Sequence, residues 1–319
     1  MTLETAKNKF SFHGDGGALF IIYLVNALLT FITLGIYSFW ARVKVIKFIY
    51  QNTEFMSERF DYHGTGKERF TGFLKAAGIF IIFSLIMAGI FKLLSILFDQ
   101  NIAQIIVTLI IYLIIVAFIP FILVGKERYR LSRSSWRNIR FKFTGNTKEL
   151  FKEYIKGVLL CLITLGIYYP WFQCKLNKYF ADHSQYGNQQ FSYNADGKEL
   201  FFIYLKGILL SIITLGIYNF WLRADLLKFY YKNLSFQNNK FSSEITGGII
   251  FKTALISMLL VIFSFGIALP WVIIRNIKIY LNSINYKGNI DLSTIKADLD
   301  KKASALADGL SDAAGALDI

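Results

Sequence analysis

Five cations recur at one spacing in this chain. Lys47, Arg128, Lys178, Lys228 and Lys278 each stand seven residues after an aromatic residue: Trp40, Phe121, Trp171, Trp221 or Trp271. Arg42 and Arg223 share a second position, two residues after that aromatic, and Lys44, Lys175 and Arg275 share a third, four residues after it. Phe48, Tyr129, Tyr179 and Phe229 directly follow four of the five cations. Such a set could face a cavity, where it would bind lipid headgroups or guide an anion. It could equally snorkel, each stem lying along apolar surface while its charge reaches the membrane interface. Lys92, inside an otherwise apolar run, admits the same two readings.

Other chemistry is thin. Cys161 and Cys174 are spaced for neither a CxxC redox pair nor a zinc site and read as passive small residues. His13 and His63 occupy a position that Thr144, Asn194 and Glu244 hold elsewhere, which marks it as a polar strand position; the third histidine is His183. No HExxH, Walker or GxSxG pattern occurs, and the turns "GDGG" and "GTGK" miss the Walker spacing. The expectation is a protein without catalytic residues, metal or cofactor.

The elements that position these cations repeat. "TLGIY" occurs at Thr33–Tyr37, Thr164–Tyr168 and Thr214–Tyr218, each time ending an apolar run and leading to a Trp. Around it, units align from Phe10, Phe60, Phe141, Phe191 and Phe241, spaced by 50 residues except for one step of 81. The unit at Phe60 thus carries 31 additional residues. Each unit reads as a short alternating aromatic strand closed by a turn, such as "FSFHGDGG", then an apolar helix, then a basic amphipathic helix. Gly35, Gly166, Gly216 and Gly266 sit at the elbow between the helices, where a glycine permits a sharp bend, and Trp40, Trp171, Trp221 and Trp271 follow it. Trp is also the residue expected at a membrane interface.

Composition points to the bilayer. Of 319 residues 55% are hydrophobic and 18% charged, against about 25% charged in a soluble domain. Uncharged runs cover Gly16 to Ala41, Ile102 to Gly125 and Thr253 to Ile274, each longer than the ~20 residues a span requires. In the unit at Phe60, Phe70 to Leu97 and Ile102 to Val124 read as two full spans joined by "FDQN". The expected fold is therefore a polytopic α-helical membrane protein of five strand-and-helical-hairpin repeats, with a small cytoplasmic β part. Residues 1–290 form the membrane domain and residues 291–319 an acidic amphipathic tail. The net charge of +14 lies mostly between apolar runs, which indicates anionic lipid and the cytoplasmic face rather than nucleic acid. Two crossings in the longest unit return the chain to its starting side, so same-side hairpins are favoured over single spans that alternate. The tail offers a surface for a protein partner or a second copy.

The strand-turn "FSYNADGKELF" followed by "TLGIYNFWLRADLLKFYYKN" resembles the YjgN-like family of bacterial inner-membrane proteins, over roughly residues 8–290. The resemblance implies a multi-pass location in a bacterial inner membrane and supplies no activity and no site residues. Function then divides between a transporter- or channel-like protein with a cation-lined cavity and a non-enzymatic lipid-binding or scaffold protein.

Overall fold

The structure, a computed structural model, describes residues 9–288 and 290–295. The element order strand, helix, helix, strand occurs five times. The first unit runs β1 (Phe10–Phe12), α1 (Gly16–Ile32), α2 (Ser38–Asn52), β2 (Thr53–Phe55). The second is β3 (Glu58–Tyr62), α3 (Gly66–Leu97), α4 (Gln100–Ser132), β4 (Ser134–Trp136). The third is β5 (Ile139–Phe143), α5 (Thr147–Ile163), α6 (Tyr169–Asp182), β6 (Ser184–Tyr186). The fourth is β7 (Gln189–Tyr193), α7 (Gly197–Ile213), α8 (Asn219–Asn233), β8 (Leu234–Phe236). The fifth is β9 (Asn239–Ser243), α9 (Gly247–Phe263), α10 (Leu269–Asn282), β10 (Ile284–Lys287).

The strands form one antiparallel sheet in sequence order, and an isolated bridge between Lys9 and Asn285 joins its two edges into a nearly closed barrel. Helices contact one another in the same cyclic order, α10 returning to α1. Ten inward-facing aromatics fill the barrel as directly opposed pairs: Phe10 with Phe55, Phe60 with Trp136, Phe141 with Tyr186, Phe191 with Phe236, and Phe241 with Tyr286. Each unit's opening Phe is thus a barrel-core residue. The Tyr186 hydroxyl donates to the Trp136 carbonyl at 2.8 Å and the Tyr286 hydroxyl to the Phe236 carbonyl at 2.9 Å, so neither phenol is buried without a partner. Ile290, Leu292 and Ile295 pack against the same core.

Local chemistry explains each join. The polar stretches between units are tight strand turns, with both central residues left-handed at Met56–Ser57, Arg137–Asn138 and Gln237–Asn238, the geometry that fits strand twist. Asp15, Asn146 and Asp196 cap the first helix of their units by accepting a backbone N–H, and Thr65 forms a capping box with Glu68. The glycine-rich turns are therefore helix starts. At the elbow, the Thr33 hydroxyl donates to the Leu29 carbonyl and accepts from the Tyr37 N–H at 2.9 Å. Leu34 and Gly35 then both take positive φ, 50° and 93°, a reversal that glycine accommodates without strain.

Two expectations are corrected. This is not a polytopic helical protein with a small β part: its sheet has ten strands. Among the described residues only α3 and α4 are long and apolar enough to cross a membrane. The remaining helices have 14–17 residues. Two of the long uncharged runs misled because they pass through an elbow and join two arms of a hairpin: Gly16 to Ala41 holds all of α1, the turn and the start of α2, and Thr253 to Ile274 likewise joins α9 to α10. Because every unit's strands belong to one sheet, the strand segments lie together on one side of the hairpins. The expected helix of the acidic tail falls almost wholly outside the described residues; within them Leu292–Thr294 forms a single 3-10 turn.

Candidate functional site

The second helices of the third and fourth hairpins leave a gap between them. Gln173 and Asn177 of α6, Leu200 of α7, and Arg223, Leu227 and Tyr230 of α8 line a cavity of about 240 Å³. The Arg223 guanidinium lies 5.6 Å from the Tyr280 ring of α10, a cation–π distance. Arg130 of α4 pairs with Glu127 at 2.6 Å, yet its side chain stays 51% exposed. Tyr50 of α2 and Tyr230 of α8 are both within its electrostatic reach. Those helices come from hairpins that are not all neighbours, so Arg130 stands near the axis. The cavity is a small vestibule whose lining includes Arg223, Tyr230 and the amides of Gln173 and Asn177, side chains able to hold an anionic group.

The five cations at the first aligned position do not meet there. The Arg128 guanidinium donates to the Gly145 carbonyl of the next unit at 3.0 Å, and Lys178 pairs with Asp182 at 2.7 Å on its own helix. Lys228 lines a separate open groove with Glu199, Asp225 and Lys232. Lys47 is half-buried and Lys278 exposed. At the second position Arg223 reaches the cavity and Arg42 is exposed. At the third, Lys44 lies 5.4 Å from the Tyr37 ring and Lys175 lies 6.0 Å from the Tyr168 ring, beside their elbows, while Arg275 is half-buried. Lys206 of α7 takes the equivalent place at 6.0 Å from Tyr218. Gly35, Gly166, Gly216 and Gly266 all sit in the elbow with positive φ. Tyr37, Tyr168 and Tyr218 stack on Trp40, Trp171 and Trp221, and Trp271 packs on Phe20. Lys92 is exposed, about one and a half turns from the end of α3.

Glu127, Arg130, Gln173, Asn177 and Tyr230 were not singled out by the sequence. Their signal is the spacing two, six and nine residues after the aligned aromatic, which puts them on one helical face. Arg69 was missed as well, although it stands against Leu19, Leu150, Leu200 and Ile250 when the units are aligned.

Histidines serve the strand ends. His63 Nε2 is 2.7 Å from Ser135 Oγ, and its Nδ1 is 3.8 Å from Asp61 Oδ2. That order resembles a hydrolase relay, but Ser135 is buried, and Asp61 accepts instead from the Tyr62 N–H and the Gln51 amide. His13 contacts Glu54 on the paired strand and Ser11 on its own, and His183 Nδ1 meets the Tyr179 carbonyl. No group of three metal-ligating side chains is found among the described residues.

Cys174 is buried against Leu200 and Phe229, and burial, aided by Asp196 and Glu199, pushes its thiol up to about 11. At pH 8 only about a thousandth of it is thiolate. Iodoacetamide is therefore expected to modify Cys174 only after unfolding, with peptide mass spectrometry as the readout.

Comparison with known proteins gives a family and no activity. The profile described as "Bacterial protein of unknown function (DUF898)" matches residues 7–205, 189–252 and 222–313. "Inner membrane protein YjgN" of Escherichia coli O157:H7 is 29% identical over 165 residues, which are 52% of this chain and 38% of that protein. The protein of the same name from Salmonella typhimurium is 33% identical over 157 residues, 49% of this chain and 36% of its own length. The matches thus span well under half of those relatives. No solved structure matches.

Proposed function

Because the chain belongs to this bacterial family of unknown function, and its relatives are inner membrane proteins, we propose that it is a non-enzymatic lipid-binding scaffold of the inner membrane. Its short hairpins enter one leaflet, and α3 and α4 cross the bilayer to anchor them. The observation that carries this reading is the exposure of the elbows: Leu34, Leu165, Leu215 and Phe265 are 94%, 93%, 94% and 96% exposed. Phe31, Ile163, Ile213 and Phe263 extend each apolar tip. Burying one such side chain is worth roughly 1.5–3 kcal/mol, so four tips strongly favour lipid. The lysines over Tyr37, Tyr168 and Tyr218 form a collar above the tips, the residue types that settle at headgroup depth. Anionic lipid is the partner that this collar and the +14 charge favour. The sheet then lies in the cytoplasm, on the positive-inside rule.

Passage of a solute along the axis has less support, because the aromatic core fills the barrel. The test places a tryptophan at a tip, Leu165→Trp, in a background where the native tryptophans are phenylalanine. In liposomes its fluorescence should be quenched by lipids brominated along the acyl chain and shielded from aqueous iodide. Quenching by iodide alone would sink the proposal.

A further inference from the structure

The spacing between charges and elbows measures how deep each hairpin reaches. Lys156 and Lys206 stand nine residues before Leu165 and Leu215, and all four side chains are exposed. On the returning arms Arg42, Lys175, Arg223 and Arg275 come eight to ten residues after Leu34, Leu165, Leu215 and Phe265. No charged residue lies between elbow and cation on any of these arms. At 1.5 Å per residue, nine residues measure ~14 Å, against about 15 Å for half of the hydrocarbon core. A short hairpin whose cations rest at the headgroups therefore ends at the bilayer midplane.

The second unit is built to a different depth. Lys75 holds the position of Lys156 and Lys206, fifteen residues after the opening Phe of its unit, and is exposed as they are. The next charge on α3 is Lys92, seventeen residues further, which is ~26 Å and close to the whole core. Ser84 aligns with the short tips, so α3 continues thirteen residues past them to Leu97. Lys92 then reaches the opposite headgroups by snorkelling, and Asp99, which caps α4 at the far turn, lies in water beyond them.

The helices contact one another in cyclic order and all units share one sheet, so the short tips end at one level. Among the described residues ten helices thus occupy the leaflet nearer the barrel, and two continue through the other. Eight cylinders about 10 Å across add roughly 600 Å² to one leaflet with no counterpart opposite. In a flat bilayer the opposite leaflet must thin or stretch beneath them, whereas bending away from the barrel relieves that mismatch.

We infer that this protein generates and selects membrane curvature, with its barrel on the convex face of the bilayer. The inference rests on the tip insertion proposed above and adds to it the depth of the tips and their mechanical effect. Its partner is a lipid surface of one shape.

The experiment uses the full chain, dye-labelled and reconstituted into giant vesicles with the barrels outward. A narrow tube is pulled from each vesicle, and the ratio of protein to lipid fluorescence is compared between tube and vesicle body. Enrichment of roughly threefold or more is expected on an outward tube, and depletion on an inward one. Equal ratios on both tubes overturn the inference. A second chain carries Leu34→Asp, Leu165→Asp, Leu215→Asp and Phe265→Asp, exposed positions at which a change costs the fold little. It should stay in the membrane through α3 and α4 and lose the enrichment; unchanged enrichment would assign sorting to something other than the tips. Quenching of the Leu165→Trp chain separates this inference from the scaffold reading. Bromines nearest the acyl-chain end should quench most. Deep quenching without sorting ends the curvature inference and leaves the scaffold, whereas no quenching by any bromolipid ends both.

Discussion

Gly197→Thr is expected to lower stability by about 2 kcal/mol, the range for overpacking a filled contact, and Trp171→Phe in the same chain should recover most of that loss. A Cβ built at Gly197 would lie 2.3 Å from Trp171 Cδ1, with all its nearest neighbours in that one side chain. The same contact occurs at Gly16 with Trp271, Gly66 with Trp40 and Gly247 with Trp221. The third unit differs on both sides at once: Thr147 replaces the glycine and Phe121 replaces the tryptophan. There the smaller ring turns onto Phe118 and Phe151. Large ring with glycine thus occurs four times within one chain, and small ring with threonine once. A double-mutant cycle on melting in detergent measures it, with a coupling of about 0.5–3 kcal/mol expected for touching residues. Losses that simply add would show that the two positions do not share the space.

Trp136→Ala should cost more, about 3–5 kcal/mol, as for other large-to-small changes in a packed core. Trp136 is buried opposite Phe60, its ring lies 5.5 Å from Phe55 and 5.4 Å from Tyr186, and its indole N–H donates to the Glu58 carbonyl at 3.2 Å. Removing it opens a cavity shared by three strand pairs and leaves the Glu58 carbonyl without that donor. Leu215→Ser provides the contrast: its side chain touches almost nothing in the protein, so melting in detergent should hardly change. Thermal denaturation followed by circular dichroism decides both. A loss below 1 kcal/mol for Trp136→Ala would mean that the barrel is not the chain's folding core.

The units were legible in the sequence because their chemistry is local. The elbow needs Thr for its hydroxyl, a left-handed pair for the reversal and an apolar tip, and these needs recur as letters. The barrel was not legible to the same extent. Thr53–Phe55 and Leu234–Phe236 are three-residue strands, too short for alternation to show, and "QNTEFMSERF" reads as linker until its two halves are seen to pair. Opposed aromatics such as Phe60 and Trp136 are far apart in sequence, so their pairing belongs to topology rather than pattern. For the site, the most regular cations proved to be the most dispersed. Arg128 and Lys178 bond within their own helix or to the next unit, whereas Arg69 takes a buried place that the other units give to Leu or Ile.

One seam sets the order in which this molecule can be assembled. Every strand except the outermost two finds its partners within its own unit or an adjacent one, so units can add one after another as the chain leaves the ribosome. The bridge from Lys9 to Asn285 is different, for its halves are separated by nearly the whole described chain. Until the last unit is made, β1 presents an unsatisfied backbone edge on which another nascent chain could pair. Ring closure is therefore the late step of biogenesis, and the period before it is when neighbouring copies are most exposed to misassembly.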